Sequence, residues 1–119
     1  ILASMLGSDS QISTEGKVLF IEEIGEYKYS IDRMLQSLKR AGYFNKVKAV
    51  VVGDMTKVKR NTTPCGSSIE QLILEVVPKD IPIVFNFPAG HEPDNRALIM
   101  GRSVEVNIKK EGISELVFD

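Results

Sequence analysis

Glu22, Asp54 and His91 each follow an apolar segment of the chain, and each carries a side chain that can take part in proton transfer. His91 is the only histidine in the sequence, and histidine is the side chain best suited to proton transfer near neutral pH. A neutral imidazole needs a partner that fixes its tautomer, and a carboxylate such as that of Glu22 does this well. The three residues therefore indicate acid–base chemistry, provided that the fold brings them together.

The same residues leave two other interpretations open. His91 is also compatible with a surface loop and Glu22 with a turn cap, with no chemistry assigned to either. Together with Asp54 they could instead form a carboxylate-rich metal site. The segment His91-Glu92-Pro93 is not the start of a zincin motif, because no second histidine follows it.

Cys65 is the single cysteine and a further candidate nucleophile. The loop before it carries Lys57, Lys59 and Arg60, and nearby cations can favour a thiolate, although an unreactive thiol explains this residue as well. The sequence contains no serine in G-x-S-x-G, no Walker loop and no G-x-G-x-x-G motif. The common nucleophile and nucleotide motifs therefore do not identify a function.

The elements that position these residues alternate between strands and helices. Short apolar runs rich in β-branched residues predict buried strands at Lys17–Ile21, Val47–Val52 and Ile81–Phe87. Apolar residues at helical spacing predict two amphipathic helices between them, one from Ser30 to about Ala41 and one that stops before Pro78. Helical crossovers make the three strands parallel, so Glu22, Asp54 and His91 are expected at one carboxyl edge, where α/β sheets collect ligands.

Residues around the helix ends predict where each helix begins and stops. Ser30 is the expected N-cap of the first helix, Gly42 its C′ residue, and Ser67–Glu70 has the spacing of a capping box for the second. Tyr27 and Tyr29 precede the first helix. Either one of the two packs beneath that helix and the other is exposed, or one of them lines a substrate site.

The last third of the chain reads as an antiparallel meander. Strands are predicted at Ala97–Met100, Ser103–Lys109 and Ile113–Phe118, separated by the turn dipeptides Gly101-Arg102 and Glu111-Gly112. The predicted fold is therefore a single α/β domain over residues 1–119, with a mixed, partly parallel sheet, two helices and a C-terminal antiparallel hairpin region.

Composition limits the function classes. The 119 residues carry 15 basic and 16 acidic side chains, a net charge of −1, which argues against a nucleic-acid or membrane partner. The single cysteine cannot form an internal disulfide, and neither a signal peptide nor a run of about 20 apolar residues is visible, so a cytoplasmic location is expected. Because the chain begins with Ile1 rather than methionine, we expect a processed product or a fragment.

Four stretches of the chain resemble the LD-carboxypeptidase family. Val18–Leu35, which reads VLFIEEIGEYKYSIDRML, is similar to the family's apolar strand, acidic turn and Asp-Arg-Met-Leu helix. Leu38–Gly53 resembles the helix end and strand that follow, and Ile81–His91, IPIVFNFPAGH, resembles the strand and Gly-His turn of the catalytic histidine. Ala97–Asn107 is similar to the closing hairpin, so the resemblance runs in family order over nearly the whole chain.

The resemblance implies a C-terminal domain with a swivelling β/β/α-like fold and a serine-type mechanism without a cofactor or metal. Glu22 would be the carboxylate and His91 the general base of a Ser-Glu-His triad, and the serine would lie on an N-terminal domain that this chain does not contain. The implied substrate is murein tetrapeptide, whose terminal D-alanine is released in cell-wall recycling. A microcin-type peptide-nucleotide substrate, or a non-catalytic binding module, is the alternative.

Two positions depart from the family pattern. Glu23 stands where aspartate is usual, at a position with no assigned role in catalysis. Lys28 stands where many members carry proline, which affects the turn and the details of substrate recognition. Homodimers are usual in the family, so a homodimer is expected for the intact protein.

Overall fold

A three-stranded parallel sheet lies at the centre of the molecule. The computed structural model describes residues 1–59 and 66–119. The strands lie in the order β1-β2-β3, and β1 and β3 both pair in parallel with β2: they are β1 (Val18–Ile21), β2 (Ala49–Val52) and β3 (Ile83–Val84). The parallel arrangement predicted from the sequence is confirmed, and it places the carboxyl ends of all three strands at one edge.

Two helices connect the strands and pack against each other on one face of the sheet. They are α1 (Lys28–Arg40) and α2 (Ile69–Val76). Leu19 and Ile21 of β1 point into the core that the helices cover, where Ile31, Leu35 and Ile73 are buried. A short 3-10 helix at Leu2–Met5 packs against α1. No helix within the described ranges is long and apolar enough to cross a membrane.

An antiparallel hairpin covers the opposite face of the sheet. Its strands are β4 (Val104–Asn107) and β5 (Glu115–Phe118), which pair with each other and form a separate two-stranded sheet. Side chains of the hairpin share a narrow space with side chains from the outer face of the central sheet, and this space is lined in part by Val18, Phe20, Val51, Leu116 and Phe118. The layers are thus helices, sheet and hairpin, which confirms the predicted α/β class.

The third strand is shorter than Ile81–Phe87, the range predicted from its apolar run. Asn86 has a φ of +57°, a left-handed conformation that interrupts an extended strand. Pro82 has no amide hydrogen to donate, although its carbonyl accepts a hydrogen bond from Val50. Hydrogen bonding to β2 resumes only at Phe87, whose N–H donates to the carbonyl of Val52. The distance is 3.0 Å, within the range of about 2.8–3.0 Å that is typical of a strand ladder.

The strand predicted at Ala97–Met100 is wrong. Leu98 and Met100 lie beside Phe20 and Val51, in the space between the sheet and the hairpin. Within this segment only Leu98 is partly buried, while Ile99 and Met100 are 52% and 72% exposed, so the segment runs along the edge of this space without pairing as a strand.

Two helix starts also differ from the sequence prediction. Tyr27, not Ser30, is the N-cap of α1. The chain is extended up to that point because it pairs with Lys59: Lys59 N–H donates to Glu26 O, and Lys28 N–H donates to Lys59 O. The capping box of α2 is formed by Ser68 and Gln71 rather than Ser67 and Glu70, one residue later with the same spacing.

The end of α1 follows the prediction. Gly42 adopts a φ of +82°, and the N–H groups of Gly42 and Tyr43 donate to the carbonyls of Lys39 and Leu38. This pair of bonds is the Schellman motif, which explains why glycine is required here.

The core assignment predicts unequal effects for two neighbouring residues of α2. Ile73 is 0% exposed and Leu74 is 55% exposed. Ile73→Ala should lower the free energy of unfolding by about 2–5 kcal/mol, because it removes buried methyl groups and leaves a cavity. Leu74→Ala, the matched control, should cost less than about 1 kcal/mol. Urea unfolding followed by circular dichroism measures both, and equal losses would contradict this orientation of α2.

Candidate active site

Backbone hydrogen bonds continue beyond the ends of β1 and β2 and join three turns at the carboxyl edge. Gly53 N–H donates to Ile21 O at 2.8 Å, and Glu23 N–H donates to Asp54 O at 3.1 Å. On the other side, Asp54 N–H donates to Ala89 O at 2.8 Å. The turn that carries Glu22 and the turn that carries His91 are therefore both attached to the segment after β2.

Two glycines allow these turns to approach so closely. A Cβ atom on Gly53 would lie 2.4 Å from the carbonyl oxygen of Ala89 and 2.7 Å from the ring of Phe20. A Cβ atom on Gly90 would lie 2.7 Å from Cβ of Asp54, and the φ of Gly90 is +140°. Glycine is needed at Gly53 for lack of space, and at Gly90 for both space and backbone conformation.

The geometry brings Glu22 and His91 into direct contact. Nδ1 of His91 lies 3.3 Å from Oε2 of Glu22, within reach for an Nδ1–H group to donate a hydrogen bond to the carboxylate. The His91 side chain is 54% exposed and that of Glu22 is 31% exposed. A carboxylate on Nδ1 leaves Nε2, the other ring nitrogen, available for a group that approaches from outside.

Asp54 lies beside this pair but contacts it differently. Its Oδ2 atom accepts hydrogen bonds from the hydroxyl of Thr56 at 2.7 Å and from the backbone N–H of His91 at 3.2 Å. Glu22, Asp54 and His91 thus lie at one edge, as the sequence predicted, although the contact of Asp54 is with the His91 backbone and not with its ring.

The loop that carries His91 is closed on itself. Arg96 N–H donates to Pro88 O at 2.7 Å, and Gly90 N–H donates to Oδ1 of Asn95 at 3.1 Å. Asp94 accepts two hydrogen bonds from the Arg96 guanidinium. These hydrogen bonds, together with the negative charge of Asp94, raise the pKa of Arg96 above its ordinary value. The two backbone-anchored bonds fix the width of the loop, so His91 leaves the sheet in a defined direction.

A largely apolar cleft of about 340 Å³ opens beside the Glu22–His91 pair. Its walls include both residues of the pair, the end of β1, one side of α1 and the first residues of the chain, among them Leu2, Ile24 and Met34. An apolar surface of this kind next to acid–base groups is typical of a site for a small ligand or for another protein segment.

Tyr27 and Tyr29 differ from the expectation that one of them packs beneath α1. They are 42% and 47% exposed, and their rings stack with centroids 5.5 Å apart. Arg33 lies 5.0 Å from the ring of Tyr29, and Lys59 lies 5.2 Å from the ring of Tyr27. The two tyrosines form an exposed aromatic pair with a cation on each ring.

The other two candidate sites are a metal site and a reactive thiol. Among the described residues, no group of three or more His, Cys, Asp and Glu side chains is placed to hold a metal ion. Cys65 and Arg60, the residues invoked for a reactive thiol, lie outside the described residues.

Two residues that support the site are not among those predicted from the sequence. Thr56 binds the carboxylate of Asp54, and Asn95 closes the His91 loop. Asparagine and threonine commonly make such local bonds in turns, so their positions shortly after Asp54 and His91 were the available signal. That signal is weak, because it does not specify the bonding partner.

Comparison with known proteins identifies the family. Residues 1–106 match the LD-carboxypeptidase C-terminal domain. The chain belongs to this family. The resemblance inferred from Val18–Leu35 and Ile81–His91 is therefore confirmed.

Curated relatives of this LD-carboxypeptidase domain are named as carboxypeptidases, and two of the names specify murein peptides. A probable murein peptide carboxypeptidase of Bacillus subtilis is 33% identical over 125 residues, which cover 97% of this chain and 38% of the relative. A murein tetrapeptide carboxypeptidase of Pseudomonas aeruginosa is 27% identical over 104 residues, which cover 86% of this chain and 33% of the relative. The chain thus spans less than two fifths of the length of these proteins.

Solved structures show the same fold. The muramoyltetrapeptide carboxypeptidase of Oxalobacter formigenes superimposes with a TM-score of 0.76 at 28% identity, over 92% of this chain and 39% of that protein. The microcin C7 self-immunity protein MccF, in complex with glutamyl sulfamoyl guanosine, superimposes with a TM-score of 0.61 at 24% identity, over 72% of this chain and 26% of that protein. The similarity to MccF is one of fold.

The close approach at Gly90 predicts a large effect of a single methyl group. Gly90→Ala should destabilise the domain by more than Gly101→Ala, because Gly101 also has a positive φ, +76°, but no atom within 4 Å of an added Cβ. The control should cost about 1–2 kcal/mol from the backbone conformation alone. Urea unfolding measures both variants. A loss for Gly90→Ala no greater than for Gly101→Ala would contradict the contact with Asp54.

Proposed function

We propose that this domain supplies Glu22 and His91 to a Ser-Glu-His triad in a serine-type LD-carboxypeptidase that releases the terminal D-alanine of murein tetrapeptide. The observation that carries this proposal is the 3.3 Å contact between Nδ1 of His91 and Oε2 of Glu22 in a domain of this family. The names of the relatives at 33% and 28% identity support murein peptide as the substrate. Peptide bond hydrolysis by acyl transfer needs a base, a group that orients it and a nucleophile.

In the proposed mechanism, His91 acts first as a base and then as an acid. Nε2 takes the proton of the serine hydroxyl as the serine oxygen attacks the carbonyl carbon before D-alanine. The tetrahedral intermediate collapses, the C–N bond breaks, and Nε2 returns the proton to the amine of the departing D-alanine. Water then hydrolyses the acyl-enzyme by the same route, which restores the serine.

Glu22 has two tasks in this scheme. As the acceptor for Nδ1–H it selects the tautomer whose Nε2 is free to take a proton, and it stabilises the imidazolium that forms. We assign no catalytic role to Glu23, whose Oε1 accepts from the backbone N–H of Ile24.

The nucleophile belongs to a part of the protein that this chain does not contain. In the proposal, an N-terminal domain carries the serine and the backbone amides that hold the oxyanion, and its docking places the serine at Nε2 of His91. The exposed His91 ring and the apolar cleft beside it provide the surface for this approach. The proposed enzyme works without a cofactor or metal and forms a homodimer. It acts in the bacterial cytoplasm, where it recycles cell-wall peptides.

The chain by itself is expected to be inactive. A base activates a nucleophile only within hydrogen-bond reach, about 2.6–3.2 Å, and Ser68, one candidate hydroxyl, is held in the cap of α2. The measurement is D-alanine release from murein tetrapeptide by the 119-residue chain and by the full-length product of its gene. Activity of the chain equal to that of the full-length product would overturn the assignment of the nucleophile to another domain.

Substitution of the pair should abolish turnover in the full-length product. His91→Ala should lower kcat by about 10³-fold or more, and Glu22→Gln by about 10²–10⁴-fold, because each removes one member of a unit. Glu15→Gln is the matched control, since Glu15 forms an exposed ion pair with Lys46, and its kcat should stay within about twofold of wild type.

The substrate is tested in the same assay. A peptide-nucleotide offered beside murein tetrapeptide separates the two substrate classes by kcat/KM.

Unchanged kcat in both His91→Ala and Glu22→Gln would refute the roles of these residues. Binding of murein peptide without hydrolysis by the full-length product would instead favour a non-catalytic binding module.

A further inference from the structure

Asp54 is the one charged side chain that is buried within the described ranges, at 6% exposure. A buried carboxylate is costly unless hydrogen bonds replace its lost water. Here the donors are Thr56 Oγ1 at 2.7 Å and the backbone N–H of His91 at 3.2 Å, both on Oδ2. The carboxylate thus links the end of β2 to the residue that bears the imidazole.

The backbone of Asp54 holds the two turns, but only its side chain reaches His91 itself. Asp54 O accepts from Glu23 N–H, and Asp54 N–H donates to Ala89 O. These backbone bonds survive a side-chain substitution, whereas the bond to His91 N–H does not. Loss of the carboxylate should therefore release His91 while the turns around it stay in place.

We propose that Asp54 is a positioning residue whose buried side chain fixes the backbone of His91, so that its ring meets Glu22. A Cβ atom on Gly90 would lie 2.7 Å from Cβ of Asp54, so the turn before His91 passes close to the Asp54 side chain. The catalytic consequence rests on the proposed function, but the geometric statement does not. The bond requires an acceptor and not a charge, so asparagine should replace Asp54 and alanine should not.

The geometric statement can be tested on the chain itself. His91 is the only histidine, so the ¹⁵N signals of labelled histidine belong to it alone. The tautomer is measured at a pH where these signals show that the ring is neutral. In the wild type the Nδ1–H tautomer should be in excess, because Glu22 accepts a hydrogen bond from Nδ1–H. Glu22→Ala gives the reference for a ring without its partner.

The expected result for Asp54→Ala is loss of the Nδ1–H excess down to the level of Glu22→Ala. Asp54→Asn should keep the wild-type ratio. Amide exchange at His91 should become at least about tenfold faster in Asp54→Ala, while exchange in β2, at Val50, should be unchanged. If Asp54→Ala does not fold, Asp54→Ser takes its place, because its side chain is too short to reach the His91 amide.

The kinetic consequence is measured in the full-length product. Asp54→Ala should lower kcat by about 10–100-fold with little change in KM, because a misplaced base affects the chemical step. Asp54→Asn should restore kcat to within about threefold of wild type, and Glu15→Gln serves again as the control.

The outcomes separate this inference from the proposed function. A wild-type tautomer ratio in folded Asp54→Ala would overturn the positioning role, whatever the activity. Loss of the ratio in Asp54→Ala and retention in Asp54→Asn would support it, even if the full-length product hydrolyses no murein peptide and the proposed function fails. Failure of both Asp54→Ala and Asp54→Ser to fold would also overturn it, since positioning requires a folded domain with a displaced ring.

Discussion

The contact between the Ala89 carbonyl and the chain after β2 is the constraint on which the site depends. It brings the turn before His91 within 2.8 Å of the Asp54 amide, and the lack of a side chain at Gly53 makes this approach available. Since the Glu22 turn is attached to the same segment by the bond from Glu23, the distance between the Glu22 and His91 side chains follows from backbone geometry. Small changes there would be transmitted directly to the ring of His91.

The Glu22–His91 pair cannot hold these turns together by its own attraction. Both side chains are partly exposed, and ion pairs of this kind contribute only about 0–1 kcal/mol. The buried bonds beneath the pair do this instead, because a backbone N–H or C=O group buried without a partner costs more than an exposed pair gains. The scaffold, rather than the pair itself, therefore holds Glu22 and His91 next to each other.

Exposure of the pair also fits a site completed by another domain. In the open cleft the pair is in contact with solvent, where electrostatic interactions are weak. Docking of a second domain over the apolar wall of the cleft would exclude water and strengthen the interaction between carboxylate and imidazole. The proposed division of the triad between two domains thus makes the catalytic electrostatics depend on assembly.

Local patterns in the sequence were sufficient for the order of the elements and for the edge at which the site lies. The runs at Val18–Ile21 and Ala49–Val52 are buried strands because β-branched and aromatic side chains fill both faces of a covered sheet, and helical crossovers make such strands parallel. The Schellman end at Gly42 was equally readable, because only glycine adopts its conformation without strain.

Tertiary structure alone decided the features that depend on distant partners. The start of α1 is set by pairing with Lys59, and the partial burial of Leu98 by the sheet face and the hairpin on either side of it. Likewise, no local pattern shows that the Asp54 side chain bonds the amide of His91, 37 residues away, rather than a metal or the imidazole ring. A sequence window records the preferences of neighbouring residues, whereas these bonds form only when segments far apart in the chain are brought together by the packing of the core.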